Sequence, residues 1–155
     1  MQLCCMSTLL VPIDTSDIAG KVLAHAEKLG RQLGSELVLL HVVEPIPEYV
    51  PVGASMEAIA ISPTGIDFEE QTSQAKSRLE QLAGPMRSGG LKVSCESVLG
   101  AAVDEIIDQA KLHGADYIVL GSHGHGALFH LFTGSVVTGV LKHSPCAVVV
   151  VPVRK

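Results

Sequence analysis

No tryptophan occurs among these 155 residues, and aromatic side chains make up only 3% of them. A core without large rings has to be filled by Val, Leu, Ile and Ala, which suits a parallel sheet buried on both faces. An excess of positive charge is missing as well. Eleven Lys and Arg stand against 16 Asp and Glu, for a net charge of −5. No basic stripe is visible, so no nucleic-acid partner is expected. No uninterrupted apolar run approaches the roughly 20 residues of a membrane helix, so no membrane partner is expected either. The opening MQLCCMSTLL has no basic n-region and no long apolar h-region, so it does not read as a signal peptide. The four cysteines, Cys4, Cys5, Cys95 and Cys146, match no zinc spacing. Reduced thiols in a cytoplasmic protein are the expectation.

What is present suffices for one domain over 1–155: 47% of residues are hydrophobic and 17% charged, which argues against disorder. Residues 1–7 read as a flexible tail and 45–66, with its four prolines, as a long loop. TLLVPID (8–14) reads as a buried strand closed by Asp14. Ser16 can cap the helix that follows. Ile18, Val22, Ala26, Leu29 and Leu33 mark its apolar stripe, and Gly34 is its stop. ELVLLHVVEP (36–45) is a second strand. From Phe68 a second helix runs through Thr72, Ala75, Leu79 and Leu82, with Gly84–Pro85 as the expected end.

LKVSCESVLG (91–100) has one wetter face and is expected at a sheet edge. A helix packing through Val103, Ile106, Ile107 and Ala110 leads to the strand ADYIVLG (115–121). GSVVTGVLKHS is a fourth helix, packing through Val136, Val137, Val140 and Leu141, and PCAVVVVPV (145–153) is the last strand. Strands alternating with helices predict an α/β, doubly wound, five-stranded parallel sheet with helices on both faces, a three-layer sandwich.

Between the fourth strand and fourth helix lies GSHGHGALFHLFTGS (121–135). A metal site, a phosphate cradle and an idle loop are all open for such a stretch. Gly121, Gly124, Gly126 and Gly134 let a ligand approach the backbone, so that successive N–H groups can converge on an anion. Gly134–Ser135 opens a helix whose free amides and dipole favour phosphate, with the Ser135 hydroxyl as cap or added donor. Asp14, if its strand neighbours the fourth, faces this stretch as an acceptor for ribose hydroxyls or an adenine amino group. Ligands of doubly wound sheets bind at that edge. The stretch is not the Walker loop, since no Gly-Lys-Ser/Thr occurs.

Gly121-x2-Gly124-x9-Gly134-Ser135 matches the signature of the nucleotide-binding branch of the universal stress protein family. With LLVPID, LVLLHVVEP, ADYIVLGSHGHGAL and GSVVTGVLKHSPCAVVVVP in order, the chain resembles that family from Thr8 to Val153. The resemblance implies a sheet ordered 3-2-1-4-5 and a homodimer. It also implies bound ATP, or AMP or ADP, with contacts to adenine and ribose from Pro12, Ile13, Asp14 and Val42. Gly121 would lie near the ribose and α-phosphate. Gly124, Gly134, Ser135 and the Val136 amide would ring the phosphates. Where the family often has Arg or Lys, this chain has His123, and His130 stands where another basic residue is common. The choice among ATP, ADP and AMP therefore stays open.

His123, His125 and His130 have no carboxylate or cysteine near them in sequence to complete a metal site, so no protein-held metal is expected. They read as exposed or phosphate-facing imidazoles, and a Mg2+ ion is expected only with a triphosphate. No Gly-x-Ser-x-Gly elbow supports Ser122 or Ser135 as a nucleophile, so no catalytic residue is assigned. The last strand would expose an apolar edge unless paired with its twin, which predicts a homodimer through 147–153. The leading expectation is thus an adenine-nucleotide-binding homodimeric stress-response regulator with a protein partner. A slow ATP hydrolase or autophosphorylating protein, and a nucleotide-free protein-binding dimer, are the alternatives.

Overall fold

The computed structural model describes residues 6–14, 19–45, 68–122 and 135–152. The elements are β1 (Thr8–Pro12), α1 (Ala19–Leu33), β2 (Glu36–Val43), α2 (Phe68–Ser88), β3 (Val93–Leu99), α3 (Ala102–Leu112), β4 (Tyr117–Gly121), α4 (Ser135–His143) and β5 (Ala147–Val151). The sheet runs β3-β2-β1-β4-β5, and every pairing is parallel. This is the expected order.

Alternation along the strands divides the core into two layers. Leu9, Val11, Ile13, Leu37 and Leu39 face α1 and α2, packing on Val22, Leu23, Ala26, Leu79, Ala83 and Met86. Leu10, Val38, Leu40, Ile118 and Leu120 face α3 and α4, packing on Ile106, Ile107, Ala110, Val137 and Val140. The central strands are therefore apolar at both parities. Each fully buried Leu, Ile or Val contributes about 1.5–3 kcal/mol. The two edge strands differ. β3 alternates buried Val93 and Cys95 with exposed Ser94, while β5 has Val148, Val149 and Val150 only half-buried.

α1 stops at Gly34 as expected. Its φ is +63°, and Ser35 N–H reaches back to the Gly30 carbonyl at 2.9 Å, a glycine-closed helix end. The end expected for α2 is wrong. Gly84–Pro85 lies inside the helix, which runs on to Ser88. A proline in mid-helix costs about 3 kcal/mol. Here buried Ala83 and Met86 dock the last turns on the sheet, and the Arg87 Nε–H donates to the Val93 carbonyl at 2.8 Å. The true stop is Gly90, at φ +87°, beyond which Leu91 N–H bonds the Met86 carbonyl at 3.1 Å.

Three residues assigned to core-facing stripes sit largely in solvent instead: Leu33, Leu82 and Leu141, at 44%, 41% and 51% exposure. Leu33 closes the last turn of α1, and Leu82 and Leu141 lie at the margins of their apolar arcs. The strands are also shorter than expected, β1 ending at Pro12 and β2 at Val43. The expected cap Ser16, with Ile18, lies outside the described residues, as do 1–5, most of the long loop and 123–134.

Candidate functional site at the carboxyl edge of the sheet

β1 keeps company with β2 to the end of its length. Their ladder pairs Thr8 with Glu36 through Pro12 with Leu40, and the Ile13 N–H still donates to the Leu40 carbonyl at 2.7 Å. With β4 the ladder pairs Leu9 with Tyr117 and Leu10 with Ile118 and goes no further among the described residues. The two central strands thus part at their carboxyl ends. β4 stays with β5 instead, pairing Gly121 with Val151, and the Ser122 N–H extends that ladder to the Val151 carbonyl at 2.9 Å. β1 connects onward to one side of the sheet and β4 to the other. The opening between them is the switch point at which such sheets take ligands.

Pro12, Ile13 and Asp14 stand on the β1 side of that opening and Gly121 on the β4 side. Ile13 and Asp14 also line a cleft of about 290 Å³ on the α1/α2 face, with Gly20, His41, Arg78 and Leu82 among its walls. Val42 and Val136 belong to the other face, where they pack against the α3/α4 core layer. Ser135 is exposed and begins α4, whose first turn carries no acidic residue. No side-chain carboxylate of that turn competes with an anion for its opening amides. A ligand touching Asp14, Val42 and Ser135 together must therefore lie across the edge of the sheet. His123, Gly124, His125 and Gly134 fall outside the described residues.

The neighbouring carboxyl edge, between β2 and β3, is closed by the chain itself. Gly100 N–H donates to the Val43 carbonyl at 3.0 Å, and the Glu44 carboxylate accepts the Ala102 N–H at 3.0 Å. That helix start is thus occupied by a carboxylate of the chain itself.

Two wall residues carry chemistry that sequence reasoning did not assign. His41 Nδ1 lies 2.8 Å from the Ile13 carbonyl. Arg78 faces the cleft from α2, and among the described residues it has no ion-pair partner, whereas Arg31 pairs with Glu27 and Arg87 with Glu80. The spacing Ala75, Arg78, Leu79, Leu82 on one helical face was the available signal for the cleft wall. Which strand that face would meet was not readable locally. Among the described residues no group of three His, Cys, Asp or Glu side chains comes together to hold a metal ion, and no helix is long and apolar enough to cross a membrane.

A five-stranded doubly wound sheet whose central strands part at their carboxyl ends defines the class of this protein. Residues 6–152 match the profile of the universal stress protein family. The chain belongs to that family. It is 32% identical over 146 residues to the universal stress protein YxiE of Bacillus subtilis, across 92% of this chain and 97% of the relative. Among solved structures, universal stress protein UspA from Lactobacillus plantarum superposes with a TM-score of 0.76 at 25% identity, covering 94% of this chain and 97% of that one. Two more distant structures share the fold. One is a universal stress protein in complex with cAMP, with TM-score 0.62, 20% identity and coverage of 94% and 95%. The other is the Archaeoglobus fulgidus protein in complex with dAMP, with TM-score 0.56, 21% identity and coverage of 96% and 98%.

Proposed function

We propose that this chain binds an adenine nucleotide across the carboxyl edge of β1 and β4 and acts as a homodimeric regulator of the universal stress type. The observation that carries this reading is the parting of β1 from β4 beyond Leu10 and Ile118. It leaves Asp14 on one rim and the start of α4 on the other. Asp14 offers a charged acceptor to ribose hydroxyls or the adenine amine. The α4 amides at Ser135 and Val136 receive the phosphates, with Gly121, Gly124, Gly134, His123 and His125 completing the cradle. Two proteins of the same fold hold adenine nucleotides, cAMP and dAMP. That likeness is at the level of the fold, and it agrees with the chemistry offered here.

A triphosphate would bring Mg2+, held largely by phosphate oxygens and water. The half-buried valines of β5 pair with those of a second copy, which hides an otherwise open edge.

Calorimetric titration of the purified chain with AMP, ADP and ATP tests the site. Binding is expected, weakened about tenfold or more by Asp14→Ala, since a hydrogen bond to a charged group contributes roughly 1.5–3 kcal/mol. Gly134→Val should abolish it. No binding of any of the three at millimolar concentration overturns the reading. Light scattering tests the dimer, and a monomeric mass at all concentrations refutes the pairing of β5.

A further inference from the structure

We infer that His41 is a positioning residue of this site: it grips the Ile13 carbonyl and so fixes the peptide that presents Asp14 to the cleft. The inference rests on the nucleotide site proposed above for its consequence, but its geometry stands independently. The β1–β2 backbone ladder closes with Pro12 opposite Leu40, and the Ile13 N–H is spent on the Leu40 carbonyl. A regular parallel ladder would next give the Ile13 carbonyl a β2 backbone N–H. Here the partner is the His41 ring, with Nδ1 at 2.8 Å.

A carbonyl oxygen can only accept, so Nδ1 must carry the proton. Ile13 is 6% exposed, and a carbonyl at such a place is costly to leave unpaired. Strand alternation explains why residue 41 can do this. It shares the α1/α2 face with Leu37 and Leu39, the face also used by Leu9, Val11 and Ile13. An aliphatic residue would satisfy packing there equally well, but it would give the carbonyl nothing. With its N–H and its C=O both tied to β2, the Ile13 peptide is fixed beyond the end of the ladder, and the next residue, Asp14, is held on the rim.

Two variants separate this role from mere packing. His41→Asn keeps a donor close to the place of Nδ1, and His41→Leu keeps bulk without one. In the nucleotide-free protein, nitrogen-15 NMR is expected to show neutral His41 as the Nδ1–H tautomer. The Asp14 amide resonance should shift in His41→Leu and return toward its native position in His41→Asn. In AMP titrations His41→Leu should bind at least about tenfold more weakly while His41→Asn stays within about threefold, the loss of one buried hydrogen bond being of that size. An Nε2–H tautomer, or equal behaviour of the two variants, overturns the inference. Failure of the unaltered protein to bind any nucleotide would refute the proposed function instead, and the tautomer and amide readouts would still decide whether His41 sets Asp14.

Discussion

Thr8 and Asp116 are bound to each other twice: the Thr8 N–H donates to Asp116 Oδ2 at 2.9 Å, and the Asp116 N–H donates to the Thr8 carbonyl at 2.9 Å. This reciprocal clamp fastens the amino ends of β1 and β4, the two strands whose carboxyl ends then part around the proposed site. Thr8 is buried, so its N–H has no water to fall back on. Asp116→Ala is expected to destabilise the fold by about 1–3 kcal/mol, the cost of an orphaned buried donor, and Asp116→Asn, which keeps an acceptor, by less. Urea unfolding checks both, and equal midpoints for the two variants would count against the clamp.

Gly139 is where α4 meets α3. A Cβ built there would lie 2.7 Å from Val103 Cγ2 and 3.0 Å from Cγ1. A β-branched side chain has little rotamer freedom in a helix with which to yield. Gly139→Ala should therefore cost about 1–3 kcal/mol through overpacking, in spite of alanine's better helix propensity. A thermal midpoint at or above the unaltered protein's would show that the two helices can separate freely.

α3 begins at Ala102 after Ala101, which makes no side-chain cap of its own. The Glu44 carboxylate supplies the cap from the end of β2. Glu44→Ala should cost about 1 kcal/mol, the usual worth of an N-cap. Amide exchange should speed up first in the opening turn of α3, and protection unchanged there would refute the assignment.

Burial pushes the Cys95 thiol from an ordinary 9.0 to about 11. Glu80 adds to the rise and Arg87 partly opposes it. The folded protein thus keeps this thiol neutral where the unfolded chain ionises it. Its contribution to stability is complete below about pH 9 and is lost as pH climbs through 11, at up to about 1.4 kcal/mol per pH unit. Against a Cys95→Ala control, stability of the unaltered protein should fall more steeply between pH 9 and 11. Its thiol should also resist aromatic disulfide reagents at pH 8 unless the chain is unfolded. Prompt reaction of Cys95 in the folded state would contradict the burial.

The periodic signals read from the chain survive assembly wherever the deciding contact is local. Val22 and Ala26, Ile106, Ile107 and Ala110, and Val137 and Val140 are buried on the helical faces assigned to them. Gly34 ends α1 as expected. Prediction failed where distant contacts outweighed a local rule, as at Pro85, carried through by Met86 and Arg87 on the sheet. It failed also at Leu82, whose stripe position turned out to be a cleft wall. That the strands leading to Asp14 and Gly121 would be neighbours was legible from the alternation of strands and helices together with the order that the family resemblance implies. His41 was passed over because a histidine in an apolar strand has no local signature of what its ring will hold.

Composition and helical and strand periodicity were enough to define an α/β chain, and the glycine spacing of 121–135 was enough to raise the expectation of a phosphate-receptive turn, because these properties are written between residues a few positions apart. That β1 leaves β4 but stays bound to β2, that His41 reaches Ile13 across 28 residues, and that the sheet separates Val42 from Asp14 were decided only on folding. Such contacts depend on where whole strands come to rest against one another, and that is set by burial of both faces of the sheet at once, which no single stretch of chain can specify.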